Sequence, residues 1–156
     1  MVARRALLYF SSNRTGEFNL WKLQADGGSP TPVVQGQRVF LGMESPDGST
    51  LFFADHNSIW SQPLQGGGEP TLIADDLTYS LNFVLADTGI YFLGKGAGPR
   101  QSLLRFFEYR TRRTTTLREI DKAWWFGMAL HPDGDSILLS VRDQDGLDLW
   151  LMDGVR

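Results

Sequence analysis

Carboxylates come first among the side chains that could do chemistry. Asp143-Gln144-Asp145-Gly146-Leu147-Asp148 places three of them within one short stretch, and oxygen-rich ligands of this kind suit a hard cation such as Ca2+. The stretch lacks the full calcium-loop pattern and its distal bidentate Glu. It also falls where a chain reversal is expected, and Asp and Gly favour turns for their own backbone reasons. Asp47, Asp87 and Asp133 recur at one position of a repeating pattern. Paired carboxylates can perform acid–base work, but recurrence in separate units is better explained by turn formation. The densest aromatic cluster is Trp124-Trp125-Phe126. Strand alternation would put Trp124, Phe126 and Met128 on one face, and Trp125 and Gly127 on the other. One reading is core packing; the other is a ligand or peptide platform. Phe106, Phe107 and Tyr109 lie between Arg105 and Arg110, an interleaving that could stack nucleobases. Arg100, Arg105, Arg110, Arg112, Arg113 and Arg118 crowd one region. They suit a solvated sheet edge or an anionic partner surface.

Several chemistries are missing from these residues. There is no cysteine, which removes thiolate zinc sites, disulfides and cysteine nucleophiles. His56 and His131 are the only histidines, too few for a His-based metal cluster. The formal net charge is -3, so no overall basic field attracts nucleic acid. No Gly-x-Ser-x-Gly elbow, Walker A loop or dinucleotide fingerprint occurs. Gly66-Gly67-Gly68 precedes a strand-like run and reads as a hairpin turn. The apolar stretch Ala6 to Phe10 is too short for a signal-peptide core, and no window approaches the ~20 apolar residues of a spanning helix.

The elements that must position these residues are short strands in a repeat. Leu7-Leu8-Tyr9-Phe10, Asn19 to Leu23 and Thr31-Pro32-Val33-Val34 follow one another, with turn clusters Asn13 to Gly16 and Asp26-Gly27-Gly28 between them. The order recurs from Leu51 to Ala54, Ser58 to Ser61 and Glu69 to Ile73. It recurs again from Ile90 to Leu93, Ser102 to Phe106 and Thr114 to Leu117. The last copy is Ile137 to Ser140 and Asp148 to Leu151. A further strand precedes each later unit, at Arg38 to Glu44, Leu81 to Leu85 and Trp124 to Leu130. Each leads into Ser45-Pro46-Asp47-Gly48, Ala86-Asp87-Thr88-Gly89 or His131-Pro132-Asp133-Gly134. Trp21 to Trp60 spans 39 positions, Trp60 to Leu104 spans 44 and Leu104 to Trp150 spans 46. A period of about 40–45 with four strands per unit is a β-propeller blade signature.

These motifs carry a resemblance. Ser-Pro-Asp-Gly (45–48), Ser-Asn-Arg-Thr-Gly (12–16), Asn-Leu-Trp (19–21) and Gly-Gly-x-Pro-type turns resemble the repeats of TolB-like propellers. Those are WD-repeat-like blades, similar also to the propeller of prolyl oligopeptidase-type peptidases. The resemblance covers nearly the whole chain. It implies an all-β fold of β-propeller-type blades, each of four antiparallel strands, about three to four blades in a partial or open propeller. The blades would span 6–35, 38–75, 81–118 and 123–156, with three, four, four and three strands. Such a count is expected of a piece of a longer propeller, or of an arc that assembles with another chain. An open arc would expose two blade faces rich in apolar side chains. By resemblance, the expected role is a non-catalytic binding or scaffold module, without cofactor or metal, taking a protein or peptide partner. Trp124, Trp125, Arg105 and Arg110 are the expected contacts. The alternatives are the gating propeller of a prolyl oligopeptidase-type peptidase, or the sensor end of a bacterial kinase or transcriptional regulator.

Overall fold

A computed structural model describes residues 7–66, 68–143 and 146–155. Four antiparallel sheets follow one another along the chain, and among the described residues there is no helix. Sheet I holds β1 (Leu7–Ser12), β2 (Asn19–Gln24) and β3 (Thr31–Val34). Sheet II holds β4 (Leu41–Glu44), β5 (Thr50–Ala54), β6 (Ile59–Pro63) and β7 (Thr71–Ala74). Sheet III holds β8 (Phe83–Leu85), β9 (Gly89–Lys95), β10 (Ser102–Glu108) and β11 (Arg113–Ile120). Sheet IV holds β12 (Ala123–Leu130), β13 (Ser136–Asp143) and β14 (Gly146–Asp153). Each sheet is a meander, every strand pairing with its neighbour in sequence. The architecture is that of a partial β-propeller.

Turn chemistry explains the spacing. Ser49 N–H donates to Asp47 Oδ1 (3.0 Å), and Asp135 N–H donates to Asp133 Oδ1 (2.8 Å). Gly48 and Gly134 close these turns at φ 67° and 76°, a conformation open to glycine at little cost. In the middle turn, Ala86 N–H donates to Gly89 O (2.8 Å). Asp47 and Asp133 therefore build strand reversals, as their recurrence suggested, and Asp87 lies in the third reversal.

The core lies between sheets. Leu51 and Phe53 of β5 pack toward sheet I, with Leu20, Val34 and Val39. Phe52 and Ala54 of the same strand pack toward sheet III, with Phe83, Ile90 and Phe92. Tyr91 and Leu93 of β9 meet Ile137, Leu139 and Val141 of β13. A strand buried on both faces has no polar alternation to show, so β5 and β9 read as unbroken apolar runs. Sheets I and IV are covered on one face only. Leu8 of β1 and Leu138, Leu147, Leu149 and Leu151 of sheet IV are exposed.

Strand pairing corrects the repeat register. Trp21 lies opposite Phe10, Trp60 opposite Phe53 and Trp150 opposite Leu139. In sheet III the residue opposite Phe92 is Arg105, not Leu104. The intervals from Trp60 to Arg105 and from Arg105 to Trp150 are both 45. Leu104 resembled the Trp position because it is apolar, but a side chain's face is set by the ladder. Sheet I shifts likewise by one: Tyr9, not Leu8, turns toward sheet II, where its hydroxyl donates to Glu44 Oε1 (2.6 Å).

A second regularity is visible only in the pairing. The outer strand of each of sheets I, II and III carries a register shift at one place. It falls between Leu20 and Trp21, between Ile59 and Trp60, and between Leu104 and Arg105. Val33, Ile73 and Leu117 are the residues left over opposite these steps. A β-bulge of this kind adds local twist.

Candidate functional site

Antiparallel order sends the β5–β6, β7–β8, β9–β10 and β11–β12 connections to one end of the sheets. An aromatic platform sits there. Tyr79, in the β7–β8 connection, stacks on Trp124 with centroids 5.7 Å apart and an interplanar angle of 13°. Phe126 lies 4.5 Å from Tyr79 and 4.8 Å from Trp125. His56, from the β5–β6 turn, meets Tyr79 edge-on at 5.7 Å. The β5–β6 turn, the β7–β8 connection and β12 thus contribute to one surface, at spacings where aromatic pairs attract.

A bulge in β12 shapes that surface. Trp124 pairs with Val141 and Met128 with Leu139, so the stretch between them is longer than its partner. Gly127 adopts φ +96°, which an L side chain rarely takes. Gly127 N–H donates to Asn82 Oδ1 (2.9 Å). Asn82 is fully buried, and its Nδ2 donates to Thr78 Oγ1 (2.9 Å). Leu93 N–H donates to Asn82 O (3.0 Å). One side chain of sheet III's leading loop thereby pins the irregular stretch of sheet IV.

This corrects simple alternation along β12. Trp124 and Met128 pack against the core between sheets III and IV. Phe126 does not join them; it is 41% exposed and belongs to the platform. The physical reason is the bulge, which interrupts period-two alternation. Trp125 also lies on the platform, with the Arg142 guanidinium 5.9 Å from its ring.

The two arginines singled out from sequence lie elsewhere. Arg105 occupies the tryptophan position of sheet III and forms an ion pair with Asp76. Arg110 is in the β10–β11 turn at the opposite end of the sheets, exposed and 3.6 Å from Glu108. Neither joins Trp124 and Trp125. Sequence reasoning missed Tyr79, His56 and Asn82. The signal was available for Tyr79 alone: an aromatic residue in a connection that strand order sends to the same end as Trp124.

At that opposite end, sheets II and III enclose a cleft of about 510 Å3 lined by Asp47, Asp87, Phe107, Tyr109 and Arg112. Tyr109 stacks on Phe52 at 5.3 Å, and its buried hydroxyl has no hydrogen-bond partner. Burial, then the negative fields of Asp47 and Asp87, hold the Tyr109 phenol above its ordinary value. Burial, then the Glu44 hydrogen bond and charge, do the same for Tyr9.

These phenols make the fold sensitive to alkali. A raised folded value means that the native state keeps a proton the unfolded chain releases near pH ~10. Their contribution is complete below that pH and is lost as pH rises toward the folded values. Urea midpoints measured from roughly pH 8 upward should fall beyond about pH 10. Tyr9→Phe with Tyr109→Phe should flatten the decline. An unchanged slope in the double variant would show that these phenols are not its source.

Among the described residues no group of three or more His, Cys, Asp or Glu is placed to hold a metal ion. Gln144 and Asp145 of the acidic stretch lie outside the described residues, as does Gly67 of the triple-glycine turn. No helix among the described residues is long and apolar enough to cross a membrane.

The sequence matches no family model and no curated protein. Solved structures do share the fold. The crystal structure of TolB from Acinetobacter baumannii superposes with a TM-score of 0.74 at 14% identity, over 94% of this chain and 38% of its own length. A putative TolB from Agrobacterium tumefaciens gives 0.76 at 20% identity, over 96% of this chain and 58% of its own. The β-propeller domain of the Trilobed protease from Pyrococcus furiosus gives 0.57 at 14% identity, over 95% and 51%. The chain therefore spans well under two thirds of each of these structures.

Proposed function

We propose that this β-propeller module, which shares its fold with TolB and with the propeller domain of a protease, is a non-catalytic binding module that takes a protein or peptide segment on the Tyr79–Trp124–Trp125–Phe126 platform. The observation that carries this reading is the platform itself. Large rings from the β7–β8 connection and β12 are stacked, partly exposed and held by a buried amide. Rigid aromatic surface of this kind supplies contact area at low entropic cost, and Trp and Tyr are typical binding anchors. Apolar and aromatic residues of a partner segment would pack on Phe126 and Trp125. Arg142 beside Trp125 would favour a carboxylate on that segment.

The experiment is selection of binders from a random peptide display library on the intact chain. Recovered peptides should lose at least about tenfold in affinity to Phe126→Ala, while the variant's melting temperature barely moves, since the ring is exposed. Binders indifferent to both Phe126→Ala and Trp125→Ala would remove the platform from the account. A second reading has its own support. The likeness to a protease's propeller domain favours a gating role beside a catalytic unit, in which the platform would meet substrate segments.

A further inference from the structure

Two clefts open at the end of the sheets that carries the β4–β5, β8–β9 and β12–β13 turns. They differ in how their polar groups are satisfied. The cleft between sheets III and IV, about 530 Å3, is lined by Tyr91, His131 and Asp133. Partners there come from within the molecule. The Tyr91 hydroxyl donates to Val155 O (3.0 Å), and His131 Nδ1 lies 2.9 Å from Asp133 Oδ1.

The cleft between sheets II and III is built otherwise. Ser45 stands where the repeat of sheet IV has His131. Asp47 lines this cleft, and Asp87 stands between the two clefts and lines both. One wall is aromatic: the stacked Phe52–Tyr109 pair, with Phe107 edge-on to Tyr109 at 6.4 Å. The Tyr109 hydroxyl is buried and has no hydrogen-bond partner among the described residues. Buried polar groups are nearly always satisfied, so an orphan at the wall of a cavity marks a place for a missing partner.

We propose that the cleft between sheets II and III binds an organic cation that carries N–H donors, a guanidinium or primary ammonium on an apolar stem. Asp47 and Asp87, from the turns of two different sheets, supply the opposite charge. The stem packs against the aromatic wall, and ring faces attract the cationic head. One N–H of the head donates to the Tyr109 oxygen and satisfies it. A volume of about 510 Å3 suits a single small ligand. Arg112 bears on the same chemistry. It is exposed at the rim, with its guanidinium 5.8 Å from the Phe107 ring. A guanidinium thus already rests against this wall, and its charge opposes a second one.

The probe is n-butylguanidinium, titrated onto the intact chain at low salt and followed by the amide resonances of Asp87 and Tyr109. Saturable binding is expected at roughly millimolar concentration. The neutral near-isostere n-butylurea should bind at least about tenfold more weakly, and Asp87→Asn should cost the cation a similar factor. Butyltrimethylammonium has the charge but no N–H, and should bind several-fold more weakly than n-butylguanidinium. Tyr109→Phe should erase that difference between the two cations. Arg112→Asn keeps a residue that tolerates the φ of 53° at this position, and should tighten binding about threefold by removing a like charge. No saturable binding, butylurea bound as tightly as the cation, or an Arg112→Asn variant that binds more weakly overturns the proposal. A difference between the two cations that survives Tyr109→Phe removes the hydroxyl from the site. The peptide acetyl-Ala-Arg-Ala-amide separates two sources of the same chemistry. Tighter binding than n-butylguanidinium assigns the site to a partner's side chain, and weaker binding assigns it to a free cation; either upholds the cation site. Phe126→Ala and Trp125→Ala should leave this binding unchanged, so the cleft and the platform fail or stand separately.

Discussion

Phe53→Ala is expected to lower the stability of the folded chain by about 3–5 kcal/mol. Phe53 is 0% exposed and packs between sheets I and II with Leu20, Val39 and Leu51. Removing the ring discards its transfer free energy and leaves a cavity that rigid strands on both sides fill poorly. Sheets I and IV each lack one covering neighbour, so the native state draws on three inter-sheet cores and has no closing contact to spare. Loss on this scale is a large part of a typical domain's total of roughly 5–15 kcal/mol. Trp60, directly opposite, should cost less. It is partly exposed, its ring sits at the margin of the same core, and its Nε1 donates to Asp55 Oδ2 (2.9 Å). Urea unfolding followed by circular dichroism measures both. A Phe53→Ala loss smaller than that of Trp60→Ala would mean that the core between sheets I and II is misplaced.

Asn82→Ala should have the second largest effect, about 2–3 kcal/mol. The substitution leaves the Gly127 amide without its acceptor and Thr78 without its donor inside a buried region. An unsatisfied buried group costs its full desolvation, more than the net worth of the bond it lost. This variant differs from a simple core deletion in what else it moves. The Gly127 bulge aims Phe126 and Trp125 at solvent, so the near-ultraviolet dichroism of the tryptophans should change in the native state, before any unfolding. Binding at the platform should fall with it. Lost stability with an unaltered aromatic spectrum would show that the bulge holds its shape without Asn82.

How much of this was legible beforehand depends on the range of the interaction. Turns are local, so Asp47, Gly48, Asp133 and Gly134 announced their reversals at once. Apolar runs bounded by those turns announced fourteen strands in groups of three, four, four and three, which the sheets reproduce. Register was less accessible. Leu104 and Arg105 are neighbours, and only the ladder with β9 shows which of them replaces tryptophan. The platform was half legible: Trp124 and Trp125 stood out as a cluster, but Phe126 was assigned to the wrong face. Tyr79, His56 and Asn82 come from other loops, and nothing local ties them to β12.

The amino-acid sequence by itself thus determined the repeating unit, the all-β class and the existence of apolar faces on each strand. These follow from turn propensity and period-two patterning, which act over a few residues. Only the tertiary structure decided which faces meet, that Arg105 is paired with Asp76, and that Phe126 points outward. Those outcomes depend on contacts between residues tens of positions apart, where a one-residue shift of register or a single bulge reverses the direction of a side chain.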